Sequence, residues 1–268
     1  MLNIKRRDIN NDLSGLAEFH PIIQKIYAGR GITKTEQIKR SAADLLPVFT
    51  MKGIQTAAEV LTDVLNQQQR ITIVGDFDAD GATSTALMIL GLAKLGFKNV
   101  NFKVPNRFEY GYGLSVELSQ EIINQGTDVI ITVDNGISCL DGVELAKQAG
   151  IKVIVTDHHL PGTQLPNADA IINPNQPECE FASKNLAGVG VAFYLLLGLR
   201  SHLRDINWFE LNNHQQPNLA EFFKEFIGSG ASGLSAGTLW CPSYHTGNVD
   251  IESDLTHSTH SIETLCAG

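Results

Sequence analysis

Three short acidic motifs are the residues best suited to chemistry. The first, Gly75-Asp76-Phe77-Asp78-Ala79-Asp80-Gly81, sets three carboxylates at i, i+2 and i+4 directly after the apolar run Ile71-Thr72-Ile73-Val74. Like charges that close together are costly unless a cation or hydrogen bonds offset them. The spacing supports two readings, a divalent-cation site or a solvated Asx-rich turn capping the next helix. An EF-hand loop fits less well, because Ala-Thr-Ser-Thr-Ala-Leu follows at once and the distal Glu is missing. The second motif, Asp134-Asn135-Gly136-Ile137-Ser138, follows Ile131-Thr132-Val133, and the third, Asp157-His158-His159, follows Val153-Ile154-Val155-Thr156. One acid at a strand end is usually a helix cap; three such ends in one sheet can converge on a point. Oxygen donors with one or two imidazoles suit Mg²⁺ or Mn²⁺.

The elements that must position these motifs are legible between residues 70 and 200. Short apolar runs at Ile71–Val74, Val100–Val104, Val129–Val133 and Ile151–Val155 read as strands, and Ala170–Ile172 as a fifth. Helical patterns lie between them, from about Thr83 to Leu95, Ser115 to Asn124 and Leu140 to Gln148, and a long apolar helix opens at Gly188. This alternation predicts an α/β fold: a mostly parallel sheet flanked by helices, with ligands held outside the carboxyl ends of the strands. Residues 1–68 read as a helical N-terminal segment, from the spacing of Ile22, Ile23, Ile26, Tyr27 and of Ala58, Val60, Leu61, Val64, Leu65. The α/β domain is expected over 69–226. Residues 227–268, rich in Ser, Thr, Gly and His, read as an irregular, disordered tail.

Composition narrows the class. The 268 residues carry 43% hydrophobic and 18% charged side chains, which excludes a disordered or collagenous chain. Cys139, Cys179, Cys241 and Cys266 show no CxxC spacing, so neither a zinc site nor a disulfide framework is expected, and a reducing cytoplasm is the expected location. The apolar stretch Leu186–Leu199 is shorter than the ~20 residues that span a bilayer, and the first residues lack a signal-peptide run. No membrane partner is expected. The net charge of −9 at first argues against a polyanionic partner. Residues 225–268 alone contribute −5, however, from Glu225, Asp250, Glu252, Asp254 and Glu263 with no Lys or Arg, which leaves −4 elsewhere. Much of that remainder sits in the acidic motifs.

The set GDFDADG, VDNGIS and TDHHLPG, in this order and spacing, resembles the DHH phosphoesterase superfamily. Within it, the likeness to the bacterial exonucleases that degrade single-stranded DNA from the 5′ end is close. Further matching segments are Tyr27–Ile32, Val104–Glu109, Gly111–Leu114, Ile171–Asn175 and Leu186–Ala192, so the resemblance covers residues 1 to about 222. It implies a metal-dependent phosphodiester hydrolase of single-stranded DNA, acting in recombination and repair with a single-strand-binding protein and a helicase. It also implies Asp78 and Asp80 as metal ligands, with Asp76 a ligand or a carboxylate just outside the ligand set. Asp134 would bridge two Mg²⁺ or Mn²⁺ ions and act in catalysis, and His158 would complete the second site. Asp157 would orient an imidazole. His159 would stand nearest the scissile phosphate as a catalytic group, with Asn135, Ser138, Arg107 and Tyr112 contacting substrate. Val74 stands where some relatives outside the exonuclease branch carry a His ligand.

Several of these residues have plainer readings. Gly75, Gly81 and Gly136 suit tight strand-to-helix turns. Gly188 and Gly190 suit close helix packing better than a phosphate at a helix start. Arg107 could serve a surface salt bridge and Tyr112 the core. A small phosphatase or nuclease of oligonucleotides and cyclic dinucleotides is a second enzymatic reading, and a non-catalytic fragment a third. The third arises because the family's fourth motif, a Gly-Thr-Val-Ala-Asp-type segment, is not found, and Asp250 and Asp254 lie in the wrong context to replace its acid. The expectation is that the tail is the frame-shifted or interrupted end of a longer coding sequence, to be checked in the other reading frames.

Overall fold

The structure, a computed structural model, describes residues 12–35, 45–106 and 110–219. Arg107 and the expected tail at 227–268 lie outside the described residues.

Five parallel strands, β1 (Ile71–Val74), β2 (Val100–Lys103), β3 (Val129–Val133), β4 (Lys152–Thr156) and β5 (Ala170–Ile172), form one sheet in the order β2-β1-β3-β4-β5. Helices α1 (Pro21–Gly29) and α2 (Ile54–Gln67) precede it. Helices α3 (Ala79–Lys94), α4 (Val116–Asn124) and α5 (Leu140–Gln148) connect the first four strands, and α6 (Gly188–Asp205) and α7 (Trp208–Leu211) follow the sheet. The expected α/β class holds.

Alternation along the strands divides the core in two. Ile71, Ile73, Val129, Ile131, Val133 and Ile154 face one side, where Ile54, Ala57, Ala58 and Leu61 of α2, Leu87, Met88 and Leu92 of α3 and Val191, Leu195, Leu196 and Leu199 of α6 cover them. Val74, Ile130, Val153 and Val155 face the other, under Leu118 and Ile122 of α4 and Val143 and Ala146 of α5. A period of two makes each strand residue choose a side, so strands apolar at every position must be covered on both. Helix α2, read from sequence as part of a separate N-terminal segment, is thus part of the sheet's own core.

The strand order creates the crevice. The chain leaves β1 toward β2 on one side and leaves β3 toward β4 on the other; right-handed crossovers then put α3 and α5 on opposite faces. The loops after β1 and β3 therefore part, and the gap lies at the carboxyl ends of two adjacent strands paired Val74 to Thr132. Thr132 in turn pairs with Val155 of β4, which brings all three acidic motifs to one end of the sheet.

Two of the boundaries that differ from expectation have a visible cause. Helix α3 starts at Ala79 rather than near Thr83, because the Asp78 carboxylate accepts a hydrogen bond from Gly81 N–H at 2.9 Å and caps the helix inside the acidic motif. Strand β4 starts at Lys152 because the Ile151 N–H is still committed to Ala146 at the end of α5.

Candidate metal centre

The first motif spans a turn and the first turn of α3. Asp76 is buried and accepts from Phe77 N–H at 2.8 Å, while Asp78 is exposed at the cap. Gly75, Gly81 and Gly136 fill the roles expected of them: an added Cβ would lie within 2.5 Å of Thr85 Oγ1, Asp76 O and Thr132 Oγ1 respectively. The capping reading of this motif holds for Asp78.

Asp134 is the centre of the arrangement. It is 2% exposed and sits in the left-handed region at φ 61°, which L-residues other than Asn, Asp and Gly rarely enter. Its N–H is held by Thr156 O at 3.0 Å. Its Oδ1 is buried without a hydrogen-bond donor, and His158 Nε2 stands 3.1 Å away as an ion-pair partner. Burial pushes the Asp134 carboxyl up to about 6; His158 opposes the rise, and the charges of Asp80 and Asp78 add to it. A buried carboxylate oxygen with no donor, ringed by further acids and an imidazole, has the chemistry of a cation ligand.

Two sets of donors could hold cations. In Asp76, Asp78 and Asp134, and again in Asp134, His158 and His159, one ligand atom from each residue lies within 4.8 Å of the others. Asp134 belongs to both. Asp80, expected among the ligands, lies outside both sets: its carboxylate accepts from Gly188 N–H at 2.9 Å and Val189 N–H at 3.3 Å, with His158 Nε2 3.9 Å away. The anion at the start of α6 is thus Asp80 itself, which leaves the packing reading of Gly188.

Asp157 is 1% exposed and saturated. Ile137 N–H donates to Oδ2 at 2.9 Å, and His158 N–H, His159 N–H and the His159 ring approach Oδ1 at 2.7, 3.1 and 2.7 Å. The imidazole it holds is that of His159 rather than His158. Burial alone would raise the Asp157 pKa, but these donors hold it below the ordinary carboxylate value. The same contact raises the His159 imidazole to about 9, which favours its protonated form while no cation is bound. For His158, burial favours the neutral form but the Asp134 and Asp80 carboxylates outweigh it, and its pKa is raised.

The expected substrate contacts divide. Tyr112 is no core residue: it is 45% exposed, its ring meets the His159 ring edge-on at 6.1 Å, and its hydroxyl donates to Asp134 O at 3.2 Å. Ser138 is exposed at the crevice end of the β3–α5 connection. Asn135 is instead wholly buried, and its amide donates to Val74 O and Val133 O, both at 2.9 Å, tying the ends of β1 and β3 together. A side chain enclosed in this way cannot touch substrate. Two residues of the Ile171–Asn175 segment, to which sequence reasoning gave no role, also serve the site: Asn175 donates to His158 O at 2.6 Å and Asn173 to His159 O at 2.9 Å, bracing the histidine loop. An Asn-Pro-Asn turn directly after a short strand was their sequence signal.

Known proteins resemble this chain in sequence and in fold. The chain is 50% identical over 220 residues to the single-stranded-DNA-specific exonuclease RecJ of Escherichia coli (strain K12), covering 82% of this chain and 38% of that protein. It is 40% identical over 208 residues to RecJ of Bacillus subtilis (strain 168), covering 75% of this chain and 26% of that protein. The chain thus spans less than two-fifths of the curated relatives it matches. Among solved structures, RecJ in complex with Mn²⁺ from Thermus thermophilus superposes with a TM-score of 0.60 at 31% identity, over 82% of this chain and 29% of that one. Exonuclease RecJ bound to manganese superposes at 0.53 and 38% identity, over 59% of this chain and 40% of that one. Residues 70–223, more than half of the chain, match the family described as the DHH family, N-terminal domain, and they hold the five-stranded sheet with every acid and imidazole of the crevice. With Asp157-His158-His159 closing one wall of that crevice, the chain belongs to the DHH family.

Proposed function

We propose that the crevice is a two-cation site that hydrolyses phosphodiester bonds of single-stranded DNA, releasing nucleotides from the 5′ end. The observation that carries this reading is the buried Oδ1 of Asp134, which has no hydrogen-bond donor, on a residue common to two sets of potential ligands. The relatives named for single-stranded-DNA exonuclease activity, two of them solved with manganese, support it.

Asp76, Asp78, Asp134 and His158 would hold the cations, with Asp80 oriented beside them by the start of α6. Bound there, Mg²⁺ or Mn²⁺ would supply an activated water and neutralise charge on the attacking and leaving oxygens. His159, clamped by Asp157, offers a proton-donating group to a phosphate at the rim. Exposed Phe77, Tyr112 and Leu160 flank the acids and give unstacked bases apolar surface to lie on. Ser138 adds a hydroxyl for phosphate. Arg107 is assigned to the phosphate backbone on its sequence alone. Partnership with a single-strand-binding protein and a helicase, in recombination and repair in the cytoplasm, completes the proposal. Among the described residues, no helix is long and apolar enough to cross a membrane.

The test is direct. The 268-residue chain is incubated with Mn²⁺ and 5′-labelled single-stranded DNA, a dinucleotide, or duplex DNA, beside an Asp134→Ala control. Mononucleotide release from the single strand, lost in the control, is the expected result. Cleavage of the dinucleotide alone would move the assignment to a small DHH phosphoesterase. A folded chain without metal-dependent turnover would overturn catalysis by this chain.

A further inference from the structure

Helix α6 begins against the acids, more than a hundred residues after the first motif. The Gly188 N–H donates to Asp80 Oδ2 at 2.9 Å, and Val189 N–H reaches Oδ1 at 3.3 Å, so the amino end of an 18-residue helix grips both carboxylate oxygens. That end carries about half a positive charge, which offsets part of the repulsion among the clustered acids. The Cα of Gly188 also lies against Asp134. A Cβ built there would stand 2.4 Å from Oδ1, 2.7 Å from Cγ and 2.8 Å from Cβ of Asp134. The atom it would strike is the buried oxygen that has no hydrogen-bond donor.

Neither partner can step aside. Asp134 is buried, carries a short side chain and is fixed in a left-handed backbone conformation. Helix α6 is wedged between α2 and α3, with Leu196 against Gly91 and Gly198 against Ile54. Any side chain at 188 would therefore displace the Asp134 carboxylate or fill the space in front of it.

We propose that Gly188 is a positioning residue of the cation site: its N–H orients Asp80, and its lack of a side chain keeps Oδ1 of Asp134 open to a divalent cation. This inference rests on the reading of the acids as a cation site. It gives α6 a share in metal binding that none of the three acidic motifs contains.

The test uses the full chain, Gly188→Ala, and Gly91→Ala as a packing control. Gly91→Ala strains the contact with Leu196 about 16 Å along α3 from Asp80, at 1.5 Å per residue. Free Mn²⁺ is followed by electron paramagnetic resonance during titration, and thermal unfolding is recorded in EDTA. Gly188→Ala should bind Mn²⁺ at least tenfold more weakly than the parent, whereas Gly91→Ala should lose stability and keep its Mn²⁺ affinity. Parent-like affinity in Gly188→Ala would overturn the inference and leave the cation site standing; equal weakening in Gly91→Ala would also overturn it, because loosening α6 would then suffice. A parent chain that binds no Mn²⁺ would remove the cation site itself. A second measurement covers a poorly folding Gly188→Ala: in an Asp134→Gly background, where glycine accepts the left-handed backbone, the alanine should cost little stability. An equal loss there would mean that the contact with Asp134 is not what requires glycine.

Discussion

Replacing Asp134 with asparagine should stabilise the metal-free protein and abolish its stabilisation by Mn²⁺. The folded-state pKa of about 6 lies above the ordinary 3.8, so the native state holds this proton more tightly than the unfolded chain does. The sign follows from linkage: ionising Asp134 costs nothing below pH 4, progressively more between pH 4 and 6, and the full amount above pH 6. A shift of about two units at 1.36 kcal/mol each gives roughly 3 kcal/mol at pH 8. Asparagine escapes that cost and tolerates the left-handed backbone, but it gives up the attraction to His158, so a net gain of about 1–2 kcal/mol is expected. For a domain of this size that raises Tm by roughly 2–8 °C. With Mn²⁺ at a hundred times its dissociation constant, the parent should gain about 2.7 kcal/mol and the variant nothing, which reverses their order. Thermal unfolding at pH 4 and pH 8, with EDTA and with Mn²⁺, reads all four states. A variant less stable than the parent in EDTA at pH 8, or equal stabilisation of both by Mn²⁺, would refute the reasoning.

Three other changes are diagnostic. Asp157→Asn removes the main cause of the raised His159 pKa, so the alkaline limit of activity should fall from near pH 9 toward about 6.5, read from the pH–rate profile. The same carboxyl has a depressed pKa, so its contribution to stability is present above about pH 3.8 and is lost as pH falls further; an acid titration followed by circular dichroism should show the variant without that loss. Tyr112→Ala should weaken single-stranded DNA binding by roughly 5- to 100-fold, the worth of about one stacked base, with Mn²⁺ stoichiometry unchanged in a fluorescence-anisotropy and metal-titration pair. Asn175→Ala frees the His158 carbonyl and should lower Mn²⁺ affinity by roughly tenfold, measured calorimetrically.

What the sequence made legible follows from the range of the interactions. The runs Ile71–Val74 and Val129–Val133 are apolar except for one β-branched Thr each, so a strand covered on both faces is their natural state, and they fall as expected. The convergence of three acidic motifs was also legible, because parallel strands force their carboxyl ends to one side. The start of α3 was not, since the acids of its cap and first turn look like a loop until Asp78 is seen to hold Gly81. Asn135 is a substrate contact only through the family resemblance, and its amide is instead turned inward to Val74 O and Val133 O, contacts between strand ends that no local pattern reports. The partner of Asp80 is 108 residues away, and no local pattern can report such a contact.

That distance also bears on how the site comes into being. Closing a contact between residue 80 and residue 188 carries a loop-closure cost that only the docking of α6 repays, and contacts of such long range slow folding. During synthesis the chain emerges amino end first, so β1, α3 and β3 can pair while Asp76, Asp78, Asp80 and Asp134 still lack the helix that compensates them. Cations held as proposed would then favour the docked state, because only there is the full set of oxygens and imidazoles aligned. The rate at which this chain reaches its native state should therefore depend on divalent cations even though the sheet itself needs none.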